Sequence, residues 1–171
     1  MGALAIYDIR HHIKNDSRTI ETKKTSSSLN MFEKPIIYGN EKTTFAHENI
    51  WDFKDFVSNS KDSPILDFSL IDIKEDREYI KRLMYLLLVN GNGRNGSLYS
   101  VATIKNYFNN GYLNIFEYSK NKNISVKDFF ESDKNIYNYT HEIKNHKINT
   151  LFSILQFLKN TKKIKILLSI C

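Results

Sequence analysis

Residues 72–90 run DIKEDREYIKRLMYLLLVN, and their spacing decides the fold class. Asp72 is a residue type that caps helix starts, and Glu75 follows three positions later, as in a capping box. Ile73, Arg77, Ile80, Leu83, Met84 and Leu87 then recur at steps of three and four. That period draws one apolar stripe along a helix, with Arg77 as its exception. Lys74, Glu78, Lys81 and Arg82 fall on the opposite side and read as a solvated face. Asn90-Gly91 ends the helix, since Gly91 suits a left-handed position after the last turn.

The same period continues downstream. Ser100 caps a second helix in which Val101, Ile104, Phe108, Tyr112 and Ile115 share one side. Thr103, Asn106, Asn109, Asn110 and Glu117 face away. Gly111 inside this helix costs about 1 kcal/mol relative to alanine and permits close packing of a neighbour. Ser125 or Asn123 caps a short helix over Val126–Phe130, and Asp133 caps another that buries Ile136, Tyr139 and Ile143. Ile148, Leu151, Phe152, Leu155 and Leu158 mark a last helix, with Lys159, Lys162 and Lys163 at the end its dipole favours. Five helices between Asp72 and Asn160 predict a mainly α chain, a compact bundle of four to five helices over residues 71–160.

Upstream, the pattern breaks. Thr19 to Asn30 is a polar Lys/Ser/Thr link, and residues 31–70 hold short apolar clusters split by turn formers. Residues 1–70 therefore read as an irregular, partly mobile arm with short strands, its aromatics docking on the helices. Residues 161–171 read as a tail.

Composition bounds the function. At 171 residues with 41% hydrophobic and 26% charged side chains, the chain is neither disordered throughout nor membrane-embedded. Its one cysteine, Cys171, excludes a disulfide framework and a cysteine-rich metal site, and favours a reducing, cytoplasmic setting. Met1–Asp8 lacks the charge and length of a signal peptide, and Ile6 replaces the Ser or Thr of a myristoylation motif. The apolar runs around Leu86 and at Ile164–Ile170 fall short of the roughly 20 residues a membrane span needs. Net charge is +6, and residues 99–171 hold 11 basic against 5 acidic side chains, so the surplus lies there. A local surplus of this sign favours polyanions, either nucleic acid or an anionic membrane surface; AT-rich coding also produces Lys-, Asn- and Ile-rich chains.

Catalytic and metal patterns are weak. His11-His12 point in different directions, and His141 and His146 lack zinc spacing, so no metal or other cofactor is expected. Capping explains Asp128, Glu131 and Asp133, and Cys171 has no activating neighbour. The loop Gly91-Asn92-Gly93-Arg94-Asn95-Gly96 follows a helix and lacks the Gly-Lys-Ser/Thr ending of a phosphate loop. It reads as a connection whose Arg94 reaches a nucleic-acid phosphate. The outward stripe Thr103, Asn106 and Asn110, edged by Lys105, has the chemistry for DNA: asparagine pairs with adenine, and Thr and Lys hold phosphates. A plain solvated face in an Asn-rich chain is the competing reading.

The run Tyr79-Ile80-Lys81-Arg82-Leu83-Met84, the Gly/Asn loop, and Ser100-Val101-Ala102-Thr103-Ile104-Lys105-Asn106-Tyr107-Phe108 resemble the core-binding domain of tyrosine recombinases, the phage-integrase family. Phe116-Glu117-Tyr118 and Ile124-Ser125-Val126-Lys127-Asp128-Phe129 extend the likeness. Ile50-Trp51-Asp52-Phe53 and Leu66-Asp67-Phe68-Ser69 resemble the lead-in of a mobile-element branch. The resemblance covers residues 50–160. It implies a SAM-like bundle that forms the non-catalytic half of a clamp on double-stranded DNA, in contact with other integrase protomers. It implies DNA-facing roles for Arg94, Ser100, Thr103, Lys105 and Asn106. The family's catalytic His-x-x-Arg is missing: His141 precedes Glu142-Ile143-Lys144, and His146 precedes Lys147-Ile148-Asn149. The expectation is thus a recombinase fragment, a truncated gene product or a stand-alone module, bacterial and nucleoid-associated when bound, and not itself an enzyme. The alternative is a protein–protein interaction module that docks through Phe45, Trp51, Phe53 and Phe56.

Overall fold

The computed structural model of the chain describes residues 35–38, 43–54, 65–90, 99–143 and 145–161. Two antiparallel hairpins come first. Strand β1 (Pro35–Tyr38) pairs with β2 (Thr43–Phe45), and β3 (Ile50–Asp52) pairs with β4 (Ile65–Asp67) in the register Ile50–Asp67, Trp51–Leu66, Asp52–Ile65. A 3-10 turn at Phe68–Leu70 follows, held by Asp67, whose Oδ1 accepts from Ser69 N at 2.9 Å.

Among the described residues five helices follow, so the protein is mainly α. They are α1 (Lys74–Asn90), α2 (residues 101–121), α3 (Val126–Glu131), α4 (Asp133–Glu142) and α5 (Asn145–Thr161). Helix α2 is continuous through Val101–Asn106, a wide π segment at Tyr107–Tyr112, and Leu113–Asn121.

Strands and helices share one core. Trp51, Phe53, Leu66 and Phe68 are buried in the same cluster as Ile80, Leu83, Met84, Ile104, Phe108, Ile115, Phe129 and Ile154. Ring centroids lie 4.7 Å apart for Trp51–Phe68 and 4.8 Å for Phe68–Phe108, a stack that ties β3 to α2. Each such side chain contributes about 1.5–3 kcal/mol on full burial. Helix α2 is central. It buries Ile104, Phe108, Tyr112 and Phe116, and beside them Tyr107, Gly111 and Ile115, a wider arc than one helical stripe supplies. At Gly111 the helix α5 comes close enough that an added Cβ would sit 2.5 Å from Ile154 Cδ1 and 3.2 Å from Thr150 Cγ2. The close packing expected at this glycine is therefore present.

Helix ends follow the expected chemistry with two corrections, at Asp72 and at Asp133. Helix α1 starts two residues after Asp72, with Arg77 N donating to Ile73 O at 2.9 Å. The Asp72–Glu75 capping box does not form, because the Asp72 carboxylate accepts from Lys120 Nζ on α2 instead. Ser132, not Asp133, caps α4: its Oγ accepts from Asn135 N at 3.3 Å, and Asp133 sits in the first turn, where the dipole favours a carboxylate. The choice between Ser125 and Asn123 resolves into two jobs. Ser125 Oγ caps α3 by accepting from Asp128 N at 3.0 Å. Asn123, at φ 55°, closes α2: its own N–H donates to Lys120 O at 3.1 Å, and Ile124 N donates to Ser119 O at 3.0 Å. That pair of bonds is a Schellman ending with asparagine in the left-handed position.

The largest departure is on the supposedly solvated face of α1. Lys81 is 1% exposed. Its ammonium donates to His47 O at 2.8 Å, Asn49 Oδ1 at 2.9 Å and Glu78 Oε1 at 3.2 Å, which uses all three of its N–H groups. The β2–β3 connection meets this face at Lys81, while Lys74 stays exposed and Glu78 and Arg82 are half-buried. Burial pushes the Lys81 ammonium below its ordinary value, and Glu78 opposes that shift. Arg77, the exception on the apolar stripe, is half-buried and donates from Nη1 to Ile71 O at 3.2 Å.

Asp76 is buried as well. Its Oδ1 accepts from Val126 N at 2.8 Å, satisfying an amide at the start of α3 that has no partner within its own helix. Its Oδ2 is buried without a hydrogen bond. Burial raises the carboxyl above its ordinary value, and the Val126 amide pulls the other way.

Candidate nucleic-acid interface

The first turn of α2 is built by its own cap. Ser100 is extended (φ −67°, ψ 156°), and its Oγ accepts from Thr103 N at 3.2 Å. The two hydroxyls of Ser100 and Thr103 share a hydrogen bond at 2.9 Å. Both belong to the cap, and Ser100 is exposed while Thr103 is half-buried. The shared bond uses one of the two O–H donors and leaves the other at the positive end of the helix, a place suited to donating to a phosphate oxygen.

One turn further, Asn106 and Asn110 are exposed and bonded to each other, Asn110 Nδ2 donating to Asn106 Oδ1 at 2.7 Å. Asn114 Nδ2 donates to Asn109 O at 2.9 Å, five residues back, a reach that matches the wide turn beginning at Tyr107. Lys147 of α5 in turn donates to Asn114 Oδ1. A row of amides thus runs along the outward side of α2, fixed at its far end by a cation from α5. Lys105 is half-buried at its edge.

Of the five residues expected to face DNA, four lie on this one helix. Ser100 and Thr103 meet each other, Asn106 meets Asn110, and Lys105 flanks them. Arg94 lies outside the described residues. Asn114 and Lys147 were not among those five, although the spacing Asn106, Asn110, Asn114 in steps of four carries the signal for Asn114. Nothing in the sequence pairs Lys147 with it, because that contact joins residues 33 apart.

Electrostatics around the site are partly spent. Lys120 pairs with Asp72, lowering that carboxyl and raising the ammonium mainly through their hydrogen bond. Lys122 pairs with Glu142 at 2.9 Å and is raised for the same reason. Lys74, Lys127, Lys134 and Lys159 are exposed on four other helices. No carboxylate occurs between Ser100 and Phe116. No three His, Cys, Asp or Glu side chains come together among the described residues, and none of the described helices is long and apolar enough to cross a membrane.

The aromatic docking patch takes a different form from the one expected. Trp51 and Phe53 are 0% and 3% exposed, so they are core residues, not a surface for a partner. Phe45 is half-buried and stacks on His47 with centroids 5.6 Å apart. Phe56 lies outside the described residues. Comparison with protein-family models, with curated proteins and with solved structures finds no match to this chain.

Proposed function

We propose that the chain binds double-stranded DNA through the outward side of α2, as a module of the core-binding type found in tyrosine recombinases, in which a SAM-like bundle grips the duplex without cutting it. The observation that supports this reading is the make-up of that side. Two capping hydroxyls, a row of amides and Lys105 occupy it, with no carboxylate over residues 100–116. Such groups hold phosphates and read base edges. Partners on this reading are duplex DNA and further integrase protomers, in the cytoplasm at the nucleoid.

Fluorescence anisotropy with the full chain and a labelled duplex, repeated over a series of salt concentrations, tests it. Affinity should fall steeply as salt rises, because neutralised phosphates release counterions. Lys105→Ala and Arg94→Ala should each weaken binding across all sequences and reduce the salt slope by about 1. An affinity equal to that of an unrelated protein of the same size and charge overturns the proposal.

A further inference from the structure

Asparagine 110 is exposed and held. Its Nδ2 spends one N–H on Asn106 Oδ1 at 2.7 Å, and among the described residues no hydrogen bond reaches its own Oδ1. The group left facing outward is one acceptor beside one donor on a single rigid amide. Adenine shows the complement of that pattern on its major-groove edge, where N6–H donates and N7 accepts. No other base has it: guanine shows two acceptors there, cytosine a donor without N7, and thymine an acceptor and a methyl group.

The neighbours strengthen the assignment. Gly111, next in sequence, is buried against Ile154 and Thr150, so the backbone beneath Asn110 is pinned to α5. The wide turn at Tyr107–Tyr112 starts immediately after Asn106, and Asn114 is tied to Asn109 O and to Lys147. An amide on so fixed a support loses little freedom on pairing, which is the condition for discrimination by hydrogen bonds. We infer that Asn110 is a specificity-determining residue that reads adenine in the major groove of duplex DNA, with Asn106 as the positioning residue that sets its amide. This rests on the DNA-binding reading above.

The test begins with selection of bound sequences from a randomised duplex pool by the full chain. Wild-type protein should enrich an A·T pair at one or more positions. At that position, replacing adenine by 7-deazaadenine, which lacks the N7 acceptor, should weaken binding at least fivefold. Asn110→Ala should bind all duplexes with an unchanged salt slope and lose the response to 7-deazaadenine. Asn106→Ala should reduce that response, and Asn106→Asp should restore it, since a carboxylate oxygen still accepts from Asn110 Nδ2. Salt-dependent binding without an A·T preference overturns the inference and leaves the DNA reading standing, as does a preference that survives in Asn110→Ala. Absence of any salt-dependent duplex binding overturns both.

Discussion

Helices α1 and α2 carry polar stripes that look alike on paper and end in different places. On α1 the stripe of Lys74, Glu78, Lys81 and Arg82 is met by the β2–β3 connection at Lys81, which becomes one of the most buried side chains in the molecule. On α2 no described segment crosses the stripe of Thr103, Asn106, Asn109 and Asn110, and its three asparagines are exposed. A helical wheel says which residues share a face. It does not say what lies across from that face. A lysine is expensive to bury, so only the complete use of its three N–H groups by His47, Asn49 and Glu78 makes the α1 arrangement tolerable.

The sharpest way to break this contrast is Lys81→Met. It keeps most of the buried volume but leaves His47 O, Asn49 Oδ1 and Glu78 Oε1 without their donor, and should cost about 3 kcal/mol in urea unfolding. A loss under about 0.5 kcal/mol would mean that the β2–β3 connection is not held by this lysine. Gly111→Ala comes next and probes the hidden side of α2. Alanine gains about 1 kcal/mol of helix propensity, but its Cβ meets the fully buried Ile154, and overpacking of a core costs about 1–3 kcal/mol. The expected outcome is a net loss, seen as a lower thermal midpoint; a gain would show that α5 moves aside freely.

Asp76→Asn separates charge from shape on the buried side of α1. The folded carboxyl is raised above its ordinary value of 3.8. The folded chain therefore binds that proton more tightly than the unfolded chain, and stability falls as pH rises from about 4 through the raised value. Asparagine keeps an acceptor for Val126 N and removes the titration. Its loss of stability between pH 4 and 7 should be smaller than the wild-type loss, measured by urea midpoints across that range; an identical slope in both proteins refutes the assignment. The smallest effect belongs to Asn106→Ala, which removes only an exposed amide pair and should change stability by less than about 0.5 kcal/mol. Set against Lys81→Met, it measures how far two similar stripes diverge.

Local rules in the sequence account for much of what is seen. The five helices, the capping role of Ser100 and the inward side of α2 follow from period and residue type. Errors gather where a distant segment competes for a side chain. Asp72 turns from its own helix to Lys120, which lies 48 residues away, and Lys81 turns to His47, which lies 34 away. The described part of the arm, residues 35–38, 43–54 and 65–70, forms more regular structure than its clusters suggest, because hairpin pairing and the Trp51–Phe68–Phe108 stack reward short strands that local propensity barely favours. For the candidate site, Ser100, Thr103 and Asn106 were legible from spacing, whereas the orientation of the Asn110 amide and the tie from Lys147 were not.

Periodicity and capping chemistry by themselves determined a mainly α chain, with an amide-rich outward side on α2 that carries no carboxylate before Glu117. Packing alone decided that the strands complete the helical core, that Lys81 and Asp76 go inside it, and that the wide turn of α2 is clamped at Gly111. The reason is range. Helix period and caps act within four residues, so sequence displays them. Burial of a charge, or the pinning of an amide, depends on which remote segment arrives, and only the folded chain brings it there.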